Sequence, residues 1–371
     1  MKICHVTSAH NRYDGRIFLK QCTSLAKKYD VTLLCCDTLD DEVKNNVNII
    51  SINKRFKSIY ERMFFSKKYL KIKCEEIDAD IYEFHDSELL SLAKYMKKKG
   101  KKVIFDSHED YPALFLEREW IPNIFRKIFK KIYENYEIKV LKKIDYVLCA
   151  SSHIKNRIEK SNQNCEVIPN YPILDEIKKI KNKSNDIKLC FAGGIGKDWN
   201  HEAIVNAIQK LDNVKYLIAG NCSIDYKEKL KKLDINNKVE FLGRLKYDEV
   251  KKLYSESDIG LAISLYRPNM NNKEGSLGNT KTFEYMMFEL PVIFTDFTIY
   301  KEINNEKQFG IAVSPNNEDE IRNAIIYFQK NRDKMIEYGK NGRKLVVDKY
   351  NWEILEKILF KVYEKLENKL L

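Results

Sequence analysis

Residues 188–211 read KLCFAGGIGKDWNHEAIVNAIQKL. An apolar run ends at Ala192, three glycines follow within four positions, and a helical pattern begins at Glu202. Strand, glycine turn and helix in that order open a parallel α/β unit. Such a turn lets backbone amides approach an anion, and the helix N-terminus adds a favourable dipole. Gly193, Gly194 and Gly196 with Lys197 are therefore a candidate diphosphate cradle. The competing reading is a tight turn that needs glycine only for its backbone angles.

The same alternation extends in both directions. Downstream, strand patterns at Lys188–Ala192, Lys215–Ala219, Val239–Leu242, Ile259–Ile263, Pro291–Thr295 and Ile311–Val313 are separated by helical ones. Upstream, strands are expected at Lys2–Thr7, Val31–Cys36, Val47–Ile52, Ile81–Phe84, Lys102–Asp106, Tyr146–Ala150 and Cys165–Ile168. Helical stretches at Arg16–Lys28, Glu88–Lys99 and Ile124–Lys143 fall between them. The expected fold class is α/β, with two Rossmann-like, doubly wound domains at residues 1–170 and 187–350. A linker is expected over 171–186, where Lys181–Asp186 is a polar run. Residues 351–371 read as an amphipathic helix with Leu355, Ile358, Leu359, Val362 and Leu366 on one side. It packs on one of the two domains, and crossing back to the first is one option. Two such domains facing each other make a cleft at their strand C-termini, where open α/β sheets bind ligands.

Composition narrows the partners. The 371 residues carry a net charge of +12, with 44% hydrophobic and 32% charged residues. That balance suits a globular protein with sizeable cores. No run reaches the roughly 18 consecutive apolar residues that a membrane span needs. The start, Met1–Ser8, reads as a short strand and lacks the apolar core of a signal peptide, so a cytoplasmic location is expected. The nine cysteines form no CxxC pair, and buried free thiols are the expected state. The positive charge fits phosphate-bearing substrates or an anionic membrane surface; a lysine- and asparagine-rich composition with solvated charge spread along the chain is the competing reading. Nucleic acid is not expected, because no recognition module accompanies the charge.

Further polar features lie at strand ends. Residues 271–295 read NNKEGSLGNTKTFEYMMFELPVIFT. A polar loop enters a helix near Thr280 and Lys281, and Glu284 lies among aromatic and Met side chains. A carboxylate there is costly unless paired, and a ribose diol would offer it two donors. A dipole or lysine contact at the helix end is the simpler alternative. The loop from Ser8 to Arg16 holds Gly15 and follows the first strand; it is either a ligand loop or an ordinary solvated one. His85-Asp86 and Asp106–Pro112, with His108, follow two more strands. No ligand spacing there demands a metal, and none is expected. In Ile124–Lys143 an apolar stripe of Ile124, Phe125, Ile128, Phe129, Ile132, Tyr133 and Tyr136 is ringed by lysines. Two readings fit: a membrane-surface helix, or a core helix with a solvated basic side. The stripe is expected to face the core, the commoner case, with the basic rim open to anionic lipid.

These segments together resemble the retaining glycosyltransferases of family 4 (group 1), which have the two-domain GT-B fold. The likeness is greatest to bacterial members that build capsule, lipopolysaccharide or exopolysaccharide. It is carried by HVTSAHNRYDGRIFLKQCTSLAKKYDVTLL, FHDSELL, VIFDSHEDYP, CASSHIKNRIEK, VIPNYP, VEFLGRLKYDEVKKLYSESDIGLAI and TKTFEYMMFELPVI. The resemblance implies a hexosyltransferase-like enzyme that uses a nucleotide-sugar and no cofactor. It implies that Glu284 binds the ribose and that Gly243, Arg244 and Leu245 face the base. Gly193 to Lys197 would lie at the diphosphate, with Thr280 and Ser276 beside the donor. The Gly15/Arg16 loop would close over the donor, and His108 would lie at the transferred sugar or the acceptor. The acceptor implied is a saccharide or lipid-linked saccharide at the inner membrane face.

This chain also departs from the family. Many members have Gly-Arg where this chain has Gly193-Gly194, and a lysine near the position of Asn200-His201. The first acid of the usual glutamate pair is replaced by Ser276, with Glu274 two residues out of register. The diphosphate charge then falls to Lys197, Lys281 or Arg16. A nonhydrolysing sugar-nucleotide epimerase and a noncatalytic GT-B partner subunit are the alternative functions.

Overall fold

The computed structural model describes residues 1–176 and 186–369. The linker expected over 171–186 falls mostly on residues outside that description. The chain divides into two units, Met1–Asn170 with Trp352–Leu371, and Tyr171–Asn351.

The first unit is built on eight strands. They are β1 (Lys2–Val6), β2 (Asp30–Cys35), β3 (Glu42–Lys44), β4 (Val47–Ser51), β5 (Ile81–Phe84), β6 (Lys102–Ser107), β7 (Tyr146–Cys149) and β8 (Cys165–Val167). Their order across the sheet is β3-β4-β2-β1-β5-β6-β7-β8. All pairs are parallel except β3 with β4. Central strands such as β5 and β7 are buried along their whole length, as expected of a sheet covered on both faces. The strand order turns around between β1 and β5, where Ile3 pairs with Ile81. That reversal opens a crevice at the strand C-termini.

The second unit repeats the plan with β9 (Ile187–Ala192), β10 (Val214–Ala219), β11 (Val239–Gly243), β12 (Ile259–Ala262), β13 (Val292–Thr295) and β14 (Gly310–Val313). The order is β11-β10-β9-β12-β13-β14, all parallel. Its reversal lies between β9 and β12. One core cluster runs from Ile187 and Leu189 through Ile204, Tyr216 and Ile259 to Ile325 and Phe328.

The C-terminal helix Trp352–Glu367 belongs to the first unit. It buries Trp352, Leu355, Leu359, Val362, Tyr363 and Leu366. The Trp352 indole N–H donates to Ser24 Oγ at 2.9 Å, and the Tyr363 hydroxyl donates to Glu83 on β5.

Two local expectations are corrected. Arg16–Lys28 is not a regular amphipathic helix. Ile17–Cys22 winds as a π-helical turn before a short α-helix at Thr23–Leu25. The amides of Leu19 and Gln21 reach back five residues, to Asp14 O and Arg16 O. The Asp14 carboxylate takes the Arg16 and Ile17 amides at 2.8 and 2.9 Å and so fixes this wide start. Second, the helix Asn123–Leu141 does not turn its apolar stripe to the core. It buries Glu137, Val140 and Leu141, while Ile124, Phe125, Ile128, Phe129, Ile132 and Tyr136 are exposed. The ion pair between buried Glu137 and half-buried Arg157 draws the opposite side of the helix inward. The helix Ile59–Ile77 went unforeseen because it has no clean apolar stripe: it buries only Ser66, Leu70, Cys74 and Ile77.

Trp352→Ala should destabilise the protein by ~3–5 kcal/mol, the usual cost of emptying a large buried aromatic site. Urea unfolding at constant m-value measures it; a change below about 1 kcal/mol would mean that the helix does not hold this unit together.

Candidate functional site

At the β1/β5 reversal, three strand ends bring polar groups together. β1 runs into Thr7–His10, β5 into His85-Asp86, and β6 through Asp106 into His108. Asp86 is buried and accepts at Oδ2 from Thr7 Oγ1 (2.8 Å) and from the amides of Ser8 (2.6 Å) and Ala9 (3.3 Å). His10 Nδ1 lies 3.1 Å from its Oδ1. Burial alone would raise this carboxyl; the His10 contact and the Ser8 and Thr7 hydrogen bonds overcome it and hold the group ionised.

Asp106 is wholly buried. It receives Arg16 Nε (2.9 Å) and Nη2 (2.6 Å), Gln21 Nε2 (2.8 Å) and His108 Nε2 (2.8 Å). Against the effect of burial, Arg16 and His108 pull its pKa well below the carboxylate range. Arg16 also donates to Ile168 O at 2.7 Å and is 5% exposed. Each of its guanidinium nitrogens thus donates within the unit. Gly15 beside it has open space around its Cα. Because Asp106 accepts from Nε2, His108 keeps Nδ1 as its other nitrogen. His108 Nε2 lies 3.3 Å from His85 Nδ1, and His85 Nε2 lies 3.0 Å from His5 Nδ1. Glu83 stands 3.8 and 3.9 Å from these two histidines.

Two groups here, His5/Glu83/His85 and His85/Asp106/His108, have ligand atoms within 4.8 Å of one another. A cation beside Asp106 would face the Arg16 charge already there, and the His85 nitrogens already lie within hydrogen-bonding distance of neighbours. The donor set therefore serves a hydrogen-bond network better than an ion.

In the second unit, the ends of β9, β10 and β11 carry Gly193, Gly220 and Gly243. The Gly193 amide donates to Ala219 O at 2.9 Å, and the Gly220 amide to Gly243 O at 2.7 Å. Gly220 has φ +142°, and a Cβ there would meet Gly193 O at 1.7 Å, so only glycine fits. A Cβ on Gly193 would come within 2.4 Å of Lys281 Nζ. The missing side chain is what seats Lys281. The Lys281 ammonium lies 5.1 Å from the Phe191 ring centre and 5.0 Å from that of Trp199. Burial lowers its pKa, and nearby Glu284 partly opposes that. Among the described residues no carboxylate lies within ion-pair distance of it. The amides of Gly194 and Gly196 likewise have no protein acceptor among the described residues.

Lys281 and Glu284 share the helix Thr280–Met287, which Asn279 caps by accepting the Lys281 amide at 3.1 Å. Glu284 is one turn further on, and the Tyr254 hydroxyl donates to its Oε2 at 3.2 Å. So Gly193, Lys281 and Glu284 come together. Lys197 is in the exposed turn Lys197–Trp199. Gly243, Arg244 and Leu245 follow β11, two strands from β9, with Arg244 exposed and Leu245 half-buried. Ser276 is buried; its hydroxyl accepts the Gly278 amide at 3.2 Å and its carbonyl accepts the Tyr300 hydroxyl at 3.2 Å. Thr280 is half-buried at the helix start. Sequence reasoning missed Gly220, Tyr254 and the Phe191/Trp199 pair. Gly220 was legible as a glycine closing a strand pattern; the aromatic contacts are long-range and left no local signal.

Glu83 supplies a pH test. Burial, with the Asp106 charge, lifts its carboxyl from 4.5 to about 8. The folded state then binds the proton more tightly, so this stability is full below 4.5 and is lost as pH rises towards 8. His85 runs the other way: burial lowers it from 6.5 to about 4, so its contribution is lost as pH falls through that window. Melting temperature should therefore fall between pH 6.5 and 8, and Glu83→Gln should flatten that limb. An equal slope in the variant would remove Glu83 as its cause.

Residues 173–345 match the family Glycosyl transferases group 1, and residues 15–171 match Glycosyltransferase Family 4. An uncharacterised glycosyltransferase of Methanocaldococcus jannaschii is 27% identical over 325 residues, covering 83% of this chain and 79% of the relative. The O-antigen chain mannosyltransferase of Salmonella typhimurium is 24% identical, covering 64% of this chain and 67% of its own. An Anabaena protein, HepE, solved in complex with UDP-glucose, superposes with a TM-score of 0.73 at 13% identity over 99% of this chain and 100% of its own. The fold is GT-B, and the two family matches between them account for most of the sequence. The chain is thus similar to glycosyltransferases in both halves, to family 4 over 15–171 and to group 1 over 173–345.

Proposed function

We propose that this enzyme moves a hexose-type sugar from a nucleotide-sugar to a saccharide or lipid-linked saccharide, with retention at the anomeric carbon, in building a cell-surface polysaccharide. The observation that carries the reading is Lys281 above the Gly193 turn. Of the three cations open to the diphosphate, Arg16 is held by Asp106 and Lys197 is exposed. Lys281 is partly desolvated, without a carboxylate in pairing range among the described residues, and beside open amides. Such a group gains most from meeting an anion. In the reaction the bond from the anomeric carbon to the diphosphate oxygen breaks as the acceptor oxygen bonds to that carbon, and the acceptor hydroxyl's proton passes to the departing diphosphate. Charge grows on the departing diphosphate, where Lys281 and the Gly194 and Gly196 amides stabilise it without a metal.

Glu284 takes the ribose hydroxyls, with Tyr254 holding its other side. Gly243 to Leu245 contact the base, and Ser276 and Thr280 border the donor. His108, oriented through Nε2 by Asp106, presents Nδ1 to the transferred sugar or the acceptor. The O-antigen role of the Salmonella relative and the UDP-glucose bound by the Anabaena protein support the product and donor classes. The +12 charge suits a cytoplasmic enzyme working at the anionic inner face of the plasma membrane.

Calorimetry with nucleosides and their diphosphates separates the roles. Lys281→Gln should weaken nucleoside diphosphate binding ~10–100-fold, the size of a lost charged hydrogen bond, and leave nucleoside binding unchanged. Glu284→Ala should weaken both. Wild-type diphosphate affinity in the lysine variant would sink the assignment.

A further inference from the structure

Two helices of the first unit carry large apolar side chains that stay exposed. On Ile59–Ile77 these are Ile59, Tyr60, Met63, Phe64 and Phe65; on Asn123–Leu141 they are Ile124, Phe125, Ile128, Phe129, Ile132 and Tyr136, while Tyr133 turns in towards the core. Phe64 is 74% and Ile124 76% exposed. The patches meet through the Tyr60 and Trp120 rings, whose centres are 6.5 Å apart. One continuous apolar face results. A soluble surface rarely exposes so many large apolar groups together without a partner.

Its charge names the partner. Between Arg55 and Ile72 there are six Lys or Arg and one acid, Glu61; between Arg118 and Ile132 there are five and one, Glu119. Among the described residues, Arg55, Lys57, Lys68, Arg118 and Lys127 have no carboxylate in ion-pair range. Glu61 is occupied by the Lys57 amide at 2.8 Å. Large apolar side chains ringed by unpaired cations match a bilayer with anionic headgroups, where the first enter the acyl boundary and the second meet phosphates. A second copy of this chain would bring the same cations against themselves.

We propose that these two helices are the membrane-contact face, which seats the first unit on anionic lipid. This rests on the reading of a membrane-borne acceptor and adds the surface that finds it. No helix among the described residues is long and apolar enough to cross a membrane, so contact through this face is interfacial.

The test is flotation of the full chain with phosphatidylcholine vesicles, with and without phosphatidylglycerol. Wild type should bind only the anionic vesicles. Ile124→Ser with Ile128→Ser, and separately Lys127→Glu with Lys131→Glu, should each weaken binding by about tenfold or more, at roughly fivefold per surface cation. Both pairs are exposed, and unchanged melting temperatures confirm folding. Lys232→Glu with Lys340→Glu in the second unit should change little. Two patch variants that bind as wild type would overturn the surface and leave the membrane reading intact. Wild type that fails to bind at low salt would end both, while nucleotide binding still reports on the enzyme. Self-association that the patch variants abolish, with no vesicle binding, would assign the face to a second copy and overturn the proposal.

Discussion

Asp106 is an ionised carboxylate with no exposure to water. A charge in that position is tolerated only where its surroundings are built to meet it. Here Arg16 from the loop after β1, Gln21 from the wide turn and His108 from its own strand end all donate to it. The requirement draws the first loop onto β6 and anchors it to Ile168 beyond β8. It sets which His108 nitrogen remains, and it puts an arginine charge beside His85 and His108. The pair is poor as a source of raw stability, since hydrophobic replacements often do as well. Its contribution is geometric: it fixes a loop that sheet pairing alone would leave loose.

The second unit meets its electrostatic need by the opposite arrangement. Lys281 is left without a counter-charge among the described residues, between two aromatic faces and above a glycine. Three strand-end glycines allow the backbone to close up under it. The Gly220–Gly193 contact tolerates no Cβ, so the turn is set by backbone packing. One unit thus spends its buried charge on its own architecture, while the other keeps a cation in reserve.

Much of this was legible along the chain. Period-two and continuous apolar runs gave the parallel strands, because both faces of each sheet are covered. The polar strand ends were legible for the same reason that α/β folds place chemistry there. The importance of Arg16 was legible, but its pairing was not: its partner Asp106 is 90 residues away, and one sequence carries no sign of that contact. The outward stripe of Asn123–Leu141 was misread because periodicity reports that a face is apolar and not what it faces. Glu137, with its partner Arg157, reverses the usual orientation. The π-helical turn depends on one Asp14 side chain and has no pattern of its own.

The path of the chain carries a consequence for how the protein is made. The first unit is interrupted: the chain leaves it at Asn170 and returns at Trp352. During synthesis the second unit, a contiguous stretch, can fold as soon as it emerges. The first must wait with β5 uncovered where Tyr363 later meets Glu83. The first unit is therefore completed only after the second has been made, when Trp352–Glu367 returns to it.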